Sequence, residues 1–256
     1  MQHSFLDRYS DIDSPIHRLD PRTKFVCLNL FILAVVTTPP DRFINFGAYA
    51  ALILIAISLS RVPFTYVIKR VCLILPFVLL TALFLPFWAA DHDSSTAFEL
   101  LGMRLTLHGL MLVWNVTIKS LLAALGMILL SSSTPFNSLL KGLESLRFPR
   151  IMLMILAFMY RYLFVIVDQA LRMTRARQSR GSGQYRKGQV RTIINLIGLL
   201  FIRAYERAER VYQCMVCRGF EGDISSIREL EFSPADYIFA GLFLSGVIAI
   251  RLAGMA

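Results

Sequence analysis

Arginine is the residue whose type and spacing could do chemistry in this 256-residue chain, as a fixed cation with forked hydrogen-bond donors. Residues 141–228 hold 16 of the 27 lysines and arginines against 6 acids, which equals the whole chain's net charge of +10. Two segments of that block, RMTRARQSRG and RAERVYQCMVCRG, end in Arg-Gly: Arg180-Gly181, after Ser179, and Arg218-Gly219, after Cys217. One arginine followed by glycine is an ordinary helix stop, because the cation suits the macrodipole and glycine takes the left-handed backbone. Capping calls for one or two cations, however, and the first end carries Arg172, Arg175, Arg177 and Arg180. Their spacings of three, two and three spread them around a helix. Those that point away from a membrane suit acidic grooves on a protein partner, and others suit anionic headgroups. Arg210 stands in the same relation to the second end.

Other chemistry is poorly served. GSGQYRKG lacks the spacing of a phosphate-binding P-loop, so no ATP site is expected in this chain. His3, His17, His92 and His108 are dispersed, and no histidine–carboxylate pair stands at metal-ligand spacing. Cys214-x-x-Cys217 is half of a zinc pattern without its second half, and Cys27 and Cys72 lie in apolar runs. Ser131, Ser132 and Ser133 have no accompanying base and read as a helix exit. The expectation is a non-catalytic chain with no cofactor or metal of its own. The arginines lack the interleaved aromatics of a nucleic-acid surface. No isolated acid or histidine sits mid-span, which argues against a self-contained carrier.

The elements that must position these arginines belong to a membrane protein. Hydrophobic residues make up 56% of the chain and mean hydropathy is +0.59. Residues 1–24 mix charges of both signs and read as a cytoplasmic N-terminal segment rather than a signal peptide. Residues 25–130 hold four transmembrane helices, at 25–38, 43–60, 71–90 and 105–130, and residues 235–256 hold the last, at 237–252. The first run is short and closes at Pro39-Pro40, as in a helical hairpin. The 61–70 connection is basic and the 91–99 connection acidic. The bias of Lys and Arg toward the cytoplasmic side then puts 61–70 and 131–234 in the cytoplasm and the C-terminus outside. The run 151–167 is apolar enough to span but would strand Arg172 to Arg191 outside, so it is expected to be the buried half of a long tilted helix. Its Arg161 would then face protein or a headgroup.

Residues 131–234 form a coupling-helix region at the membrane interface. Thr134-Pro135 opens a short amphipathic helix, 136–146, with Phe136, Leu139, Leu140, Leu143 and Leu146 at helical spacing. Pro149 opens a second helix running to about 180, and a third runs from about 189 to Gly219. The third has Val190, Ile193, Ile194, Ile197, Phe201, Ala204, Ala208, Val211 and Met215 on one stripe, opposed by Arg203, Arg207 and an i,i+4 pair of Glu206 with Arg210. The fold class is all-α: about five membrane helices plus three on the cytoplasmic side, two of them long.

The ordered set of HSFLDRYSDIDSPIHRLDPRTKF, STPFNSLLKGLESLRFP and the two Arg-Gly ends resembles the T component of energy-coupling-factor ABC transporters, and within it the cobalt/nickel CbiQ branch. The resemblance covers essentially the whole chain. In the family two signatures, usually Ala-Arg-Gly, close coupling helices that dock into a pair of ATPases; Ser179 and Cys217 replace the alanine here. What the resemblance implies is a subunit of the bacterial or archaeal cytoplasmic membrane with two ATP-binding partners. A separate substrate-binding membrane subunit, for cobalt, nickel or a vitamin, would complete the complex.

Overall fold

The computed structural model describes residues 14–40, 42–88, 97–100, 103–179, 186–222 and 232–253. Eight helices carry the fold: α1 (Pro21–Val36), α2 (Phe43–Leu59), α3 (Phe64–Trp88), α4 (Leu107–Ser133), α5 (Phe136–Ser145), α6 (Arg150–Ser179), α7 (Arg186–Val216) and α8 (Pro234–Ala253). One short antiparallel hairpin, β1 (Ala97–Leu100) with β2 (Met103–Thr106), lies between α3 and α4, pairing Ala97 with Thr106 and Leu100 with Met103. This helical membrane architecture agrees with the expected fold class, and the hairpin is its one departure among the described residues. Among the described residues, four stretches are long and apolar enough to cross a membrane: Phe64–Thr81, Met111–Ser133, Arg150–Ser179 and Pro234–Ala253. α2 is apolar but shorter, at 17 residues. At 16 residues α1 reaches about 24 Å, short of the roughly 30 Å hydrocarbon core.

The chain divides into two compact units, one of residues 143–229 and one of residues 2–142 with 230–256. In the second, the Leu-Asp-Pro-Arg stretch is a helix start. Asp20 caps α1 by accepting the Arg22 N–H at 2.9 Å, and Pro21 fills the first turn, where its missing N–H costs nothing. α1 packs on α4 and α8, with Phe31 against the Tyr49 ring of α2 (5.9 Å between centroids) and the Phe243 ring of α8 (6.0 Å). Phe31, Tyr49, Ile53, Ile57, Leu122 and Val247 form the middle of a continuous apolar core.

Polar contacts tie both ends of α1. At its start, the buried Lys24 donates to Ser133 O at the end of α4, and Asp236 in the first turn of α8 accepts from Asp20 N. Burial pushes the Lys24 ammonium down to about 8, while the charges of Asp236 and Asp20 act in the opposite direction. At the other end Lys119 of α4 donates to Val36 O at 2.9 Å, and Arg251 of α8 bonds Ala34 O and Thr37 Oγ1, satisfying the last carbonyls of α1. α1 and α8 therefore run one way and α4 the other.

α3 begins seven residues before the expected span start at 71. The connection read as a basic loop is a turn at 60–63 followed by helix. Tyr66 N–H donates to Pro63 O, Val67 is buried, and Arg70 lies over the Tyr66 ring at 4.8 Å. The charges there marked one exposed face of a helix rather than a loop. Ser132 and Ser133, expected as a helix exit, belong to the last turn of α4, and their carbonyls take His17 Nε2 and Lys24 Nζ.

Candidate partner-docking helices

α5 is amphipathic as its spacing requires, with Leu140 buried and Asn137 exposed. Pro135 O accepts the first helical bonds, from Ser138 and Leu139 N–H. Its end is a Schellman stop: Phe148 N–H donates to Leu143 O and Arg147 N–H to Glu144 O, with Arg147 at φ +64°. The exposed Arg147 thus occupies the left-handed position that normally goes to glycine.

α6 and α7, at 30 and 31 residues, are the two longest helices described. Between them lies an apolar groove of about 510 Å³. Met154, Ile155 and Ile166 of α6 line it together with Ala204 and Met215 of α7 and Phe220 just past its end. The α7 stripe accordingly does two jobs. Ala204, Ala208, Val211 and Met215 face α6, whereas Val190, Ile194, Ile197 and Phe201 remain exposed. Arg207 is the cation among the groove's lining residues, a place that the helical wheel put on the polar face. The Glu206–Arg210 pair forms at 4.0 Å with both side chains exposed.

The two signature ends differ in how far the structure describes them. At the end of α7 the stop is complete: Phe220 N–H donates to Met215 O at 3.1 Å and Gly219 N–H to Val216 O at 3.0 Å, with Gly219 at φ +79°. That left-handed turn is why glycine stands there. Cys217 and Arg218 are exposed just before it. At the end of α6, Ser179 is exposed and its hydroxyl donates to Arg175 O; Arg180 and Gly181 lie outside the described residues. Arg172 and Arg175 are exposed and Arg177 half-buried, as the uneven spacing implied. Ser179 is the last residue of α6, and Cys217-Arg218-Gly219 directly follows α7.

Among the described residues no group of three or more His, Cys, Asp or Glu could hold a metal ion. Arg147 and the buried pair Lys24 and Asp236 were missed as site residues. The only sequence signal for the pair was a charged stretch set directly against an apolar run.

The pattern of the cobalt transport protein family, CbiQ, matches residues 13–229. The chain is similar to the energy-coupling factor transporter transmembrane protein EcfT of Heliobacterium modesticaldum, 27% identical over 259 residues that cover 96% of this chain and 95% of that protein. The EcfT of Bacillus subtilis is 28% identical over 237 residues, covering 87% and 86%. An uncharacterised protein of Methanocaldococcus jannaschii is 23% identical over 244 residues, covering 93% and 82%. With a match over most of its length and a multi-helix membrane fold that ends two long helices in basic tips, the chain belongs to the CbiQ family of energy-coupling-factor transporter T components.

Proposed function

We propose that the chain is the non-catalytic coupling subunit of an ATP-driven importer. It passes the closing motion of two ATP-binding cassette subunits to a separate substrate-binding membrane subunit, with cobalt or nickel as cargo. The observation that carries this reading is the pair of long helices α6 and α7, which share an apolar groove and are each followed closely by Arg-Gly in the sequence. Two such ends suit two partner subunits rather than one. Arg218, and Arg180 by its equivalent place in the sequence, would donate charge-assisted hydrogen bonds to acidic side chains or helix-end carbonyls on the ATPases. Gly181 and Gly219 would let each tip turn away at once, while Ser179 and Cys217 keep the preceding residue small. Arg172, Arg175, Arg177 and Arg210 would add peripheral contacts to the ATPases or to headgroups. The exposed apolar faces of α6 and α7, such as Ile155, Met159, Ile194 and Phe201, would carry the substrate subunit.

In this reading residues 1–24 and 131–234 face the cytoplasm and the C-terminus faces out, and ATP binds only to the partners. Pull-down of the tagged chain from native membranes tests it. The expected result is co-purification of an ATPase pair with one further membrane subunit. Recovery of the chain without any ATPase would contradict it.

A second reading changes the cargo alone, to a vitamin, since the relatives are named for the energy-coupling factor transporter in general. Uptake of radiolabelled cobalt(II), nickel(II) or a vitamin by the intact complex separates the two.

A further inference from the structure

We propose that Lys24 and Asp236 are positioning residues, forming a buried clasp that holds α5 at a fixed stance on the first turn of α1. The proposal rests on the coupling role above, because α5 is the helix through which the chain passes from the membrane bundle into α6.

Lys24 and Asp236 are each only 2% exposed. Lys24 Nζ donates to His17 O at 3.1 Å and to Ser133 O at 3.0 Å. Asp236 accepts twice, Oδ1 from Asp20 N at 2.7 Å and Oδ2 from Ser233 N at 2.8 Å. His17 completes the group, with Nε2 3.3 Å from Ser132 O and Nδ1 2.6 Å from Ser14 Oγ. The opposite charges lie close enough to act on Lys24. Four pieces of chain thus meet at one buried point: the turn at 14–19, the start of α1, the end of α4 and the start of α8.

α5 lies directly on that point. A Cβ added at Gly142 would sit 3.3 Å from both Arg22 N and Pro21 Cβ, so the α5 backbone rests against the first turn of α1 with no room between. Two residues earlier Leu140 is buried. Bundle cohesion alone does not call for this chemistry. Burying ions is costly, and well-packed apolar residues hold helices together as well. What a buried, fully directed pair adds is one permitted register. The far end of α1 makes the contrast: a half-buried Lys119 and an exposed Arg251 tie it to α4 and α8 on backbone carbonyls, with no acid in the group.

The test uses the full complex with Lys24→Met, Asp236→Asn and Gly142→Leu, and with Lys119→Met as the control that removes a similar bond from the far end of α1. One readout is the pulsed-EPR distance between spin labels at Asn137 on α5 and Ile238 on α8, in a background without the four native cysteines. The other is radiolabelled cobalt(II) uptake per ATP hydrolysed. Lys24→Met and Asp236→Asn are expected to broaden the distance distribution and lower uptake per ATP about tenfold, the size of an ordinary coupling energy, with ATP hydrolysis retained. Gly142→Leu leaves every clasp group in place and favours helix; it is expected to displace α5 and lower uptake per ATP as well, and it decides the matter if the charge variants fail to fold. Lys119→Met is expected to change neither readout.

Equal effects from Lys24→Met and Lys119→Met would overturn the clasp. So would a smaller protein yield with unchanged uptake per ATP and an unchanged α5–α8 distance. Failure of the wild-type chain to bind ATPases or take up cobalt would strike the proposed function instead, and the α5–α8 distance in the full chain would still decide the clasp.

Discussion

Arg147 and Gly219 stand at the same position of two helix stops, at φ +64° and +79°, and only one is the residue that backbone prefers. Arg147→Gly is expected to stabilise the chain by about 0.5–1 kcal/mol, because a left-handed non-glycine residue costs about 1–2 kcal/mol and added chain entropy returns part of the gain. Gly219→Ala should lose about 1 kcal/mol for the same reason. Thermal unfolding in detergent measures both. For Arg180 and Arg218, capping alone makes Arg→Ala worth a few tenths to about 1 kcal/mol of stability. Docking at a buried interface makes it worth about 2–5 kcal/mol of binding to the ATPases. Titration of each variant against the ATPase pair tells the two apart, with Arg172→Ala as the peripheral control. Ser179→Ala and Cys217→Ala should be mild in the same titration, since side-chain size is retained. The helix stop at Gly219 was legible because glycine after a basic turn has one common meaning. Lys24 with Asp236 was not, since the pair is joined across almost the whole chain and neither residue has a local pattern.

At the scale of elements, apolar runs and proline positions located the helices well. Thr134-Pro135 and Pro149 placed the starts of α5 and α6 within a residue or two, and the stripe from Val190 to Met215 located α7. The basic 61–70 segment misled because charge was taken as a mark of a loop, whereas Phe64, Val67 and Arg70 belong to one helix, anchored by the buried Val67. Hydropathy located α6 but does not decide whether it crosses, since Arg150–Ser179 qualifies as a span by length and composition alone. The orientation that puts its basic end in the cytoplasm is open to direct measurement. A single cysteine at Ser182, in a background without native cysteines, should be labelled by an impermeant maleimide only after the membrane is permeabilised. Labelling from outside in intact cells would reverse the topology. The contacts at the two ends of α1 make α4 antiparallel to α1 and α8, so a second label at the end of any one of these helices fixes all three.

For the whole molecule, the net charge of +10 belongs to residues 141–228, while α1, α2, α4 and α8 pack on one another. One part is built for cohesion within a bilayer, and the other leaves long apolar and basic faces open. The purified chain alone should hydrolyse no ATP above background, and hydrolysis by its ATPase partners should couple to uptake only in its presence. The most direct measurement compares the wild-type complex with the Arg180→Ala/Arg218→Ala double variant for co-purification of the ATPases and ATP-driven cobalt uptake. The expected result is a folded, membrane-inserted chain that has lost both ATPases more completely than either single variant and takes up no metal. Intact complexes with wild-type uptake in the double variant would contradict the docking role and leave both arginines as helix caps.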